Sequence, residues 1–429
     1  MINTSKNLSS LPLWQHDYYC FFKGLLLLFI IAIVTTDCSS DKQSKTGLPF
    51  IDVKKNYPEK EIILTDIADV TYVHLDTGND DYLYRGGIKY ITKNTIVVVD
   101  NSSGSILFFS KNGNPKSHFN HYGNGPEEYP DIFVRTVIYD EITDDVFVCS
   151  YNMFGGFPIQ VYSSSGEFKR QLILPNGASA YPIVDFDDQS LFLHDMQKLN
   201  KKILTVVRGE DELTSYMIDS SFLRISKTDG NVLEYVEFPY NEIDITDRGN
   251  GSRKIVGYMR VVKCVAGLFL QNPETDTVFL YNKDKIPTPV FHKTPLVSDL
   301  DPKVVLANFI DVGRFQFMQT EILVEDEVLH KTPTDERHKK YYNYYLRDKQ
   351  TGEIFRQKII LPDYKGKEFY IDAINTRFDG KETLAHFELD LIALKQAYRD
   401  NKLSGKLKEL VATLNEEADN NVFMLVNFK

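Results

Sequence analysis

Bulky apolar residues recur along this chain in short alternating runs that break at polar turns, and one such unit returns five times. Ile106-Leu-Phe-Phe-Ser-Lys-Asn-Gly113 is the first copy, Ile159-Gln-Val-Tyr-Ser-Ser-Ser-Gly166 the second and Leu223-Arg-Ile-Ser-Lys-Thr-Asp-Gly230 the third. Val278-Phe-Leu-Tyr-Asn-Lys-Asp-Lys285 is a fourth copy without the glycine, and Tyr345-Leu-Arg-Asp-Lys-Gln-Thr-Gly352 is the fifth. Each reads as a strand of period two running into a turn, where glycine supplies φ > 0. From Gly113 to Gly352 is 352 − 113 = 239 residues over four intervals, about 60 per repeat. Propeller repeats usually run roughly 40–50 residues, so insertions are required.

Each repeat divides into four extended segments. The first holds Tyr82–Ile91, Thr95–Asp100, the Ile106 strand and Lys116–Tyr122; the second holds Ile132–Ile138, Asp145–Tyr151, the Ile159 strand and Phe168–Leu174. The third carries an insertion around Leu199–Met217. The fourth takes Tyr258–Cys264, Gly267–Gln271, the Val278 strand and Pro289–His292. The fifth takes Val304–Ile310, Phe315–Val324, the Tyr345 strand and Ile354–Leu361, with a charged surface loop over Glu325–Lys340. Four antiparallel strands per repeat make the blade of a β-propeller.

The tail changes period. Glu388–Tyr398 and Lys406–Leu414 have helical spacing, and Asn421–Phe428 returns as a strand. That strand with Phe369–Asn375 gives an incomplete sixth blade, which Glu61–Leu75 would complete by joining the two ends of the chain. Closure matters because an open array leaves a bare strand edge. The expected fold is all-β: a six-bladed β-propeller over 59–429, closed by an N-terminal strand, with a helical insertion at about 388–414.

The N-terminus reads as a processing segment. Gly24–Val34 is an apolar run of 11 residues behind Lys23, too short for a bilayer-spanning helix of about 20 residues and suited to a signal-peptide core. It runs into Thr35-Thr-Asp-Cys38-Ser-Ser. A cysteine there, followed by small polar residues, resembles the lipobox of bacterial lipoproteins, which implies lipidation of Cys38 and a membrane attachment. Residues 1–37 are then the signal peptide and 38–58, polar and Lys-rich, a tether. The net charge of -11 argues against a nucleic-acid partner, because phosphate contacts need clustered Lys and Arg. Past Cys38 only Cys149 and Cys264 remain, both in apolar strand-like runs that suit buried free thiols.

The organisation resembles the six-bladed β-propeller lipoproteins of Bacteroidetes, relatives in shape of NHL-repeat and TolB-like propellers. The resemblance is carried by Cys38, by Ile96–Asp100 followed by Ile106–Gly113, and by the closing Asn415–Val422. It is carried most specifically by Tyr122-Gly-Asn-Gly-Pro-Glu-Glu-Tyr129, similar to a Gly-x-Gly-Pro-x-Glu-Tyr segment of that group. It implies an outer-membrane lipoprotein facing periplasm or exterior, and implies little about activity.

Candidate chemistry is sparse. Glu127, Glu128 and Tyr129 follow a Gly-Asn-Gly-Pro reversal between two blades, where they would either hold a ligand at a propeller face or serve turn and interblade packing. Arg85, Arg135 and Tyr181 fall on or near the first strands of three successive repeats and form a candidate channel-lining set, with ordinary interblade bonding as the alternative. His118 and His121 lie close together without the spacing of a zinc site, and Asp299 and Asp301 lack the further oxygens of a calcium loop, so no metal or other cofactor is expected. No nucleophile elbow or phosphate loop appears. The sequence therefore points to a binding or scaffold role toward a peptide, a glycan or an envelope protein. The alternative is a lyase or hydrolase working on glycan or peptide at the mouth of the channel.

Overall fold

The computed structural model of the protein describes residues 47–429 except 79, 131–135, 150–157, 175–182, 195–220, 238–244, 248–252, 256–259, 272–275, 325–330 and 333. In the unit Phe50–Lys429, β1 (Phe50–Asp52), β2 (Glu59–Ile63), a one-turn helix α1 (Leu64–Ile67) and β3 (Ala68–His74) come first. Blade 1 follows as β4 (Gly86–Ile91), β5 (Thr95–Asp100), β6 (Ile106–Ser110) and β7 (Pro115–Phe119). Blade 2 is β8 (Thr136–Asp140), β9 (Asp145–Cys149), β10 (Ile159–Tyr162) and β11 (Phe168–Leu172). Blade 3 is β12 (Ile183–Asp185), β13 (Ser190–His194), β14 (Ser221–Ser226) and β15 (Val232–Glu237). A two-stranded sheet, β16 (Ile245–Asp247) with β17 (Arg253–Ile255), leads to blade 4: β18 (Arg260–Cys264), β19 (Gly267–Gln271), β20 (Thr277–Tyr281) and β21 (Thr288–Thr294). Blade 5 is β22 (Val304–Val312), β23 (Phe315–Ile322), β24 (Tyr342–Asp348) and β25 (Ile354–Ile360), with helix α2 (Thr334–Tyr341) before β24 and the short β26 (Glu368–Phe369) on β25. Blade 6 is β27 (Thr376–Phe378), β28 (Thr383–Leu389), β29 (Val422–Phe428) and β3, with helices α3 (Leu391–Arg399) and α4 (Gly405–Thr413) between β28 and β29. The protein is a six-bladed β-propeller.

The alternation in each middle strand serves two cores at once. Every residue of β5 is buried. Val97 and Val99 join Val137, Val146 and Val148 of blade 2, whereas Ile96 and Val98 join Val73, Leu384, Phe423 and Leu425 of blade 6. In β9 the parity repeats, with Val146 and Val148 toward blade 1 and Phe147 and Cys149 toward Leu191 and Leu193 of blade 3. A strand buried on both faces reads as a continuous apolar run, and this is why Thr95-Ile-Val-Val-Val-Asp100 shows no polar side.

Closure uses the N-terminal segment. β3 pairs antiparallel with β29 from Ala68↔Phe428 to His74↔Val422. Before that, β1 lies parallel on β21 of blade 4 and β2 parallel on β25 of blade 5. The stretch read as tether thus includes a strand, because Ile51 and Tyr57 are apolar anchors, 0% and 5% exposed, in the core between blades 4 and 5. The inner strand of blade 6 is β27, not Phe369–Asn375. Asp372 Oδ1 takes the amides of Ile374 (2.9 Å) and Asn375 (3.1 Å), while Asn375 Nδ2 donates to Tyr370 O (2.7 Å). Such local side-chain bonds favour turn over strand. The helical reading starts slightly early for a similar reason: β28 runs to Leu389, and Asp390 then caps α3 by accepting from Ala393 N.

The repeat glycines sit where they are needed. Gly113, Gly166, Gly230 and Gly352 all have positive φ, from 76° to 94°. At Gly113 a Cβ would stand 1.9 Å from His74 O, where the closing strand meets blade 1. In the fourth copy Lys285 itself takes φ 58°, a region disfavoured for a residue with a Cβ by about 1–2 kcal/mol. Lys285→Gly is therefore expected to stabilise the protein by a few tenths to about 1 kcal/mol after the added chain entropy of glycine, read as a higher denaturant midpoint at unchanged slope.

Candidate functional site

The first strand of each blade faces the axis of the propeller. Five of these strands enclose a cavity of about 410 Å³, lined by Ile88 to Tyr90, Thr136 to Ile138, Ile183 to Asp185, Val261 to Lys263, and Ala373, Ile374 and Thr376 to Phe378. Its wall is polar and apolar in about equal measure, and Lys89, Lys263 and Arg377 set three cations against the single carboxylate of Asp185. Local irregularity presents part of this set. In β4 the register shifts between Ile88 and Tyr90, leaving Lys89 opposite no residue of β5. Such a bulge turns side chains out of the regular alternation.

Asp185 is the hub. It accepts from Tyr90 Oη of blade 1 (3.1 Å) and Lys263 Nζ of blade 4 (3.2 Å), and pairs with Lys227 Nζ of its own blade (2.8 Å). Lys227 also reaches Asp140 Oδ2 of blade 2 at 3.1 Å. Burial alone would lower the Lys227 pKa, but Asp185 and Asp140 outweigh it and hold it raised. Tyr90 is pushed well above the usual phenol range by burial, with Asp185 adding to it. Across the cavity, Lys263 Nζ stands 5.2 Å from the centre of the Phe378 ring of blade 6, a cation–π geometry.

Arg377 is held differently. Its Nη1 donates to Ile374 O (2.9 Å) and Thr376 O (2.7 Å). Among the described residues its Nε and Nη2 have no acceptor. Burial lowers the guanidinium pKa, and Asp372 opposes this only in part. Beside it His386 is kept neutral, its pKa pushed down to about 3 first by burial and then by Arg377.

Little of this coincides with the residues singled out in the sequence. Tyr129 is fully buried between blades 1 and 2, donating to Gly104 O (2.8 Å) and accepting from His121 N (2.9 Å). Glu128 curls back onto its own turn, taking the amide of Gly125 at 2.7 Å. Glu127 is exposed, and its carbonyl receives Tyr162 Oη of blade 2 at 2.7 Å. The three share one interblade turn and do not line the cavity. Arg85 is exposed at the start of β4, its backbone tied to Asp100 and Asn101. Arg135, Tyr181 and Cys38 lie outside the described residues. Cys149 and Cys264 are buried free thiols. Tyr90, Asp185, Lys263 and Arg377 went unnoticed. The available signal was a charged residue inside an otherwise apolar first strand, as in Val261-Val-Lys-Cys264.

A family model described as a domain of unknown function, DUF4934, matches residues 48–427. The chain belongs to the DUF4934 family. No curated protein matches it. Among solved structures, a putative exported protein from Bacteroides fragilis aligns with a TM-score of 0.57 at 14% identity, covering 89% of this chain and 99% of that one. A Bacteroides thetaiotaomicron protein of unknown function aligns at a TM-score of 0.36 and 8% identity, over 84% and 76%. Streptogramin B lyase aligns at 0.37 and 10% identity, over 86% and 100%. At these identities the likeness of this DUF4934 chain to the exported protein is one of fold.

Two outcomes follow from the geometry. Tyr129→Phe strips partners from a part-buried amide and a buried carbonyl, and should lower stability by about 1–3 kcal/mol in chemical denaturation. His386 has a folded pKa below its unfolded value, so its contribution is complete above the usual histidine range. It is lost as pH falls from about 6.5 toward the value of about 3. His386→Gln should accordingly flatten the fall of melting temperature over that acid range.

Proposed function

We propose that this DUF4934 protein is a lipid-anchored envelope protein, attached through Cys38, whose propeller binds a ligand in the cavity of its central channel. The observation that carries the binding reading is the cavity, where strands of five blades bring Tyr90, Asp185, Lys263 and Arg377 together. Concave space with convergent polar groups is what small-ligand sites have in common. A glycan or a peptide end fits such a site, and an envelope partner would present one of these. Export is supported by the apolar run before Cys38. The putative exported protein of Bacteroides fragilis shares the fold. No helix among the described residues is long and apolar enough to cross a membrane, and attachment by a lipidated cysteine needs none. The lyase or hydrolase alternative has less support, because Asp185 is committed to Lys227, Lys263 and Tyr90 and so is poorly placed to move a proton.

The test is a thermal-shift screen of the mature protein against envelope oligosaccharides and short peptides, with Ala373→Trp, a lining position, to fill the cavity. A true ligand raises the melting temperature with concentration, by mass action, and the rise should disappear in the tryptophan variant. A rise that persists there would place binding elsewhere on the protein. For the anchor, Cys38→Ala should move the protein from the membrane to the soluble fraction, and unchanged fractionation would rule the anchor out.

A further inference from the structure

Arg377 brings to the cavity donors that no acceptor among the described residues takes up. A guanidinium presents five donors in a planar fork. Here one nitrogen serves two backbone carbonyls, Ile374 O and Thr376 O, while Nε and Nη2 have no acceptor among the described residues. Neither nitrogen is a fully buried donor lacking a partner, so both open onto the cavity, where a ligand's oxygens would replace water. Asp372 offsets the burial of Arg377 only in part, and the other charges nearby are taken up elsewhere. Asp185 is engaged by Lys227, Lys263 and Tyr90, and His386 is neutral. Lys263 shares Asp185 with two other donors and rests over the Phe378 ring, so it too has capacity toward a second anion. This basic spot belongs to a chain of net charge -11, so it is a local arrangement and not an overall basic field.

We infer that the cavity takes an oxyanion carried on a sugar-sized body, an acidic saccharide unit, with the Arg377 fork on its oxygens and Lys263 as the second cation. The inference rests on the cavity reading given above. A volume of about 410 Å³ lies at the small end of ligand pockets, roughly 300–1,000 Å³, room for one or two sugar rings. Tyr90 and Phe378 place aromatic rings in its wall, as sites for partly apolar, partly polar ligands commonly do. Planar pairing of the fork with two oxygens suits a carboxylate, and the same donors suit a sulfate or phosphate ester.

The experiment is isothermal titration calorimetry on the mature protein with size-matched disaccharides: one bearing a glucuronate carboxylate, one a sulfate ester and one neutral. A tetrapeptide with a free C-terminus is the fourth probe. At least one acidic disaccharide should bind, with the neutral one weaker by about tenfold or more, the difference a charged hydrogen bond makes. The preferred acid identifies the oxyanion. Arg377→Gln should remove the preference. Arg377→Lys, which can still reach Ile374 O but lacks the fork, should weaken acidic binding by about tenfold while melting like the wild type. Equal binding of the neutral sugar, acidic binding indifferent to both Arg377 variants, tighter binding of the peptide, or no binding by any probe would each overturn the inference. The two readings fail separately. Neutral-sugar binding that Ala373→Trp abolishes keeps the cavity and removes the oxyanion, whereas acidic binding that survives Ala373→Trp removes the cavity itself.

Discussion

The sharing of alternate residues of the middle strands between neighbouring blades is the constraint on which the rest of this structure depends. A strand in a two-layer protein gives one face to a core and one to water. Here β5, β9 and their equivalents give alternate residues to the blade before and the blade after. A one-residue slip in any of them would exchange two cores at once, so register is fixed from both sides. The ring is held by this shared allocation, and the outer strands, such as β7 and β11 with their alternately exposed residues, contribute far less.

The same allocation explains the character of the channel. Once the middle strands have absorbed the aliphatic residues, the first strands meet near the axis, with register shifts in β4 and β22. Charged side chains can be tolerated there because they answer each other across blades. Asp185 gathers Tyr90, Lys227 and Lys263, and Lys227 carries the network on to Asp140. Blades 1 to 4 are therefore tied at the axis by a polar cluster as well as by apolar packing between neighbours. Arg377 stands on the blade 6 side of that cluster, and among the described residues its hydrogen bonds go to the backbone of its own blade.

The fold was far more legible in the sequence than the site, and particular residues show why. The repeat turns announce themselves because positive φ selects glycine locally, and the copy without glycine still has its turn, at Lys285. Alternation in Thr95–Asp100 or Asp145–Cys149 is likewise a property of one segment. The Gly123–Tyr129 turn looked functional because it is chemically distinctive, yet its distinctiveness is structural: at Gly123 a Cβ would fall 1.9 Å from Glu128 Oε2, and Tyr129 bolts two blades together. Tyr90, Asp185 and Arg377 are each unremarkable in their own segments, and Lys263 shows there only as one charge in an apolar strand. Their meaning arises only when strands up to 287 residues apart (377 − 90) are brought to one axis. Sequence spacing carries no trace of that meeting.

The strap formed by the first strands has a consequence for the order of assembly. β1, β2 and β3 find their partners on β21, β25 and β29, strands that end at Thr294, Ile360 and Phe428. The start of the propeller thus meets its partners in the order in which they are synthesised, one per completed blade. Pairings so distant in sequence form slowly, and the segment made first is fastened in steps, β1 on blade 4, β2 on blade 5 and β3 on blade 6. Residues 50–74 act as a running tally of the final three blades, and the ring has no fully fastened state until the last strand, β29, has arrived.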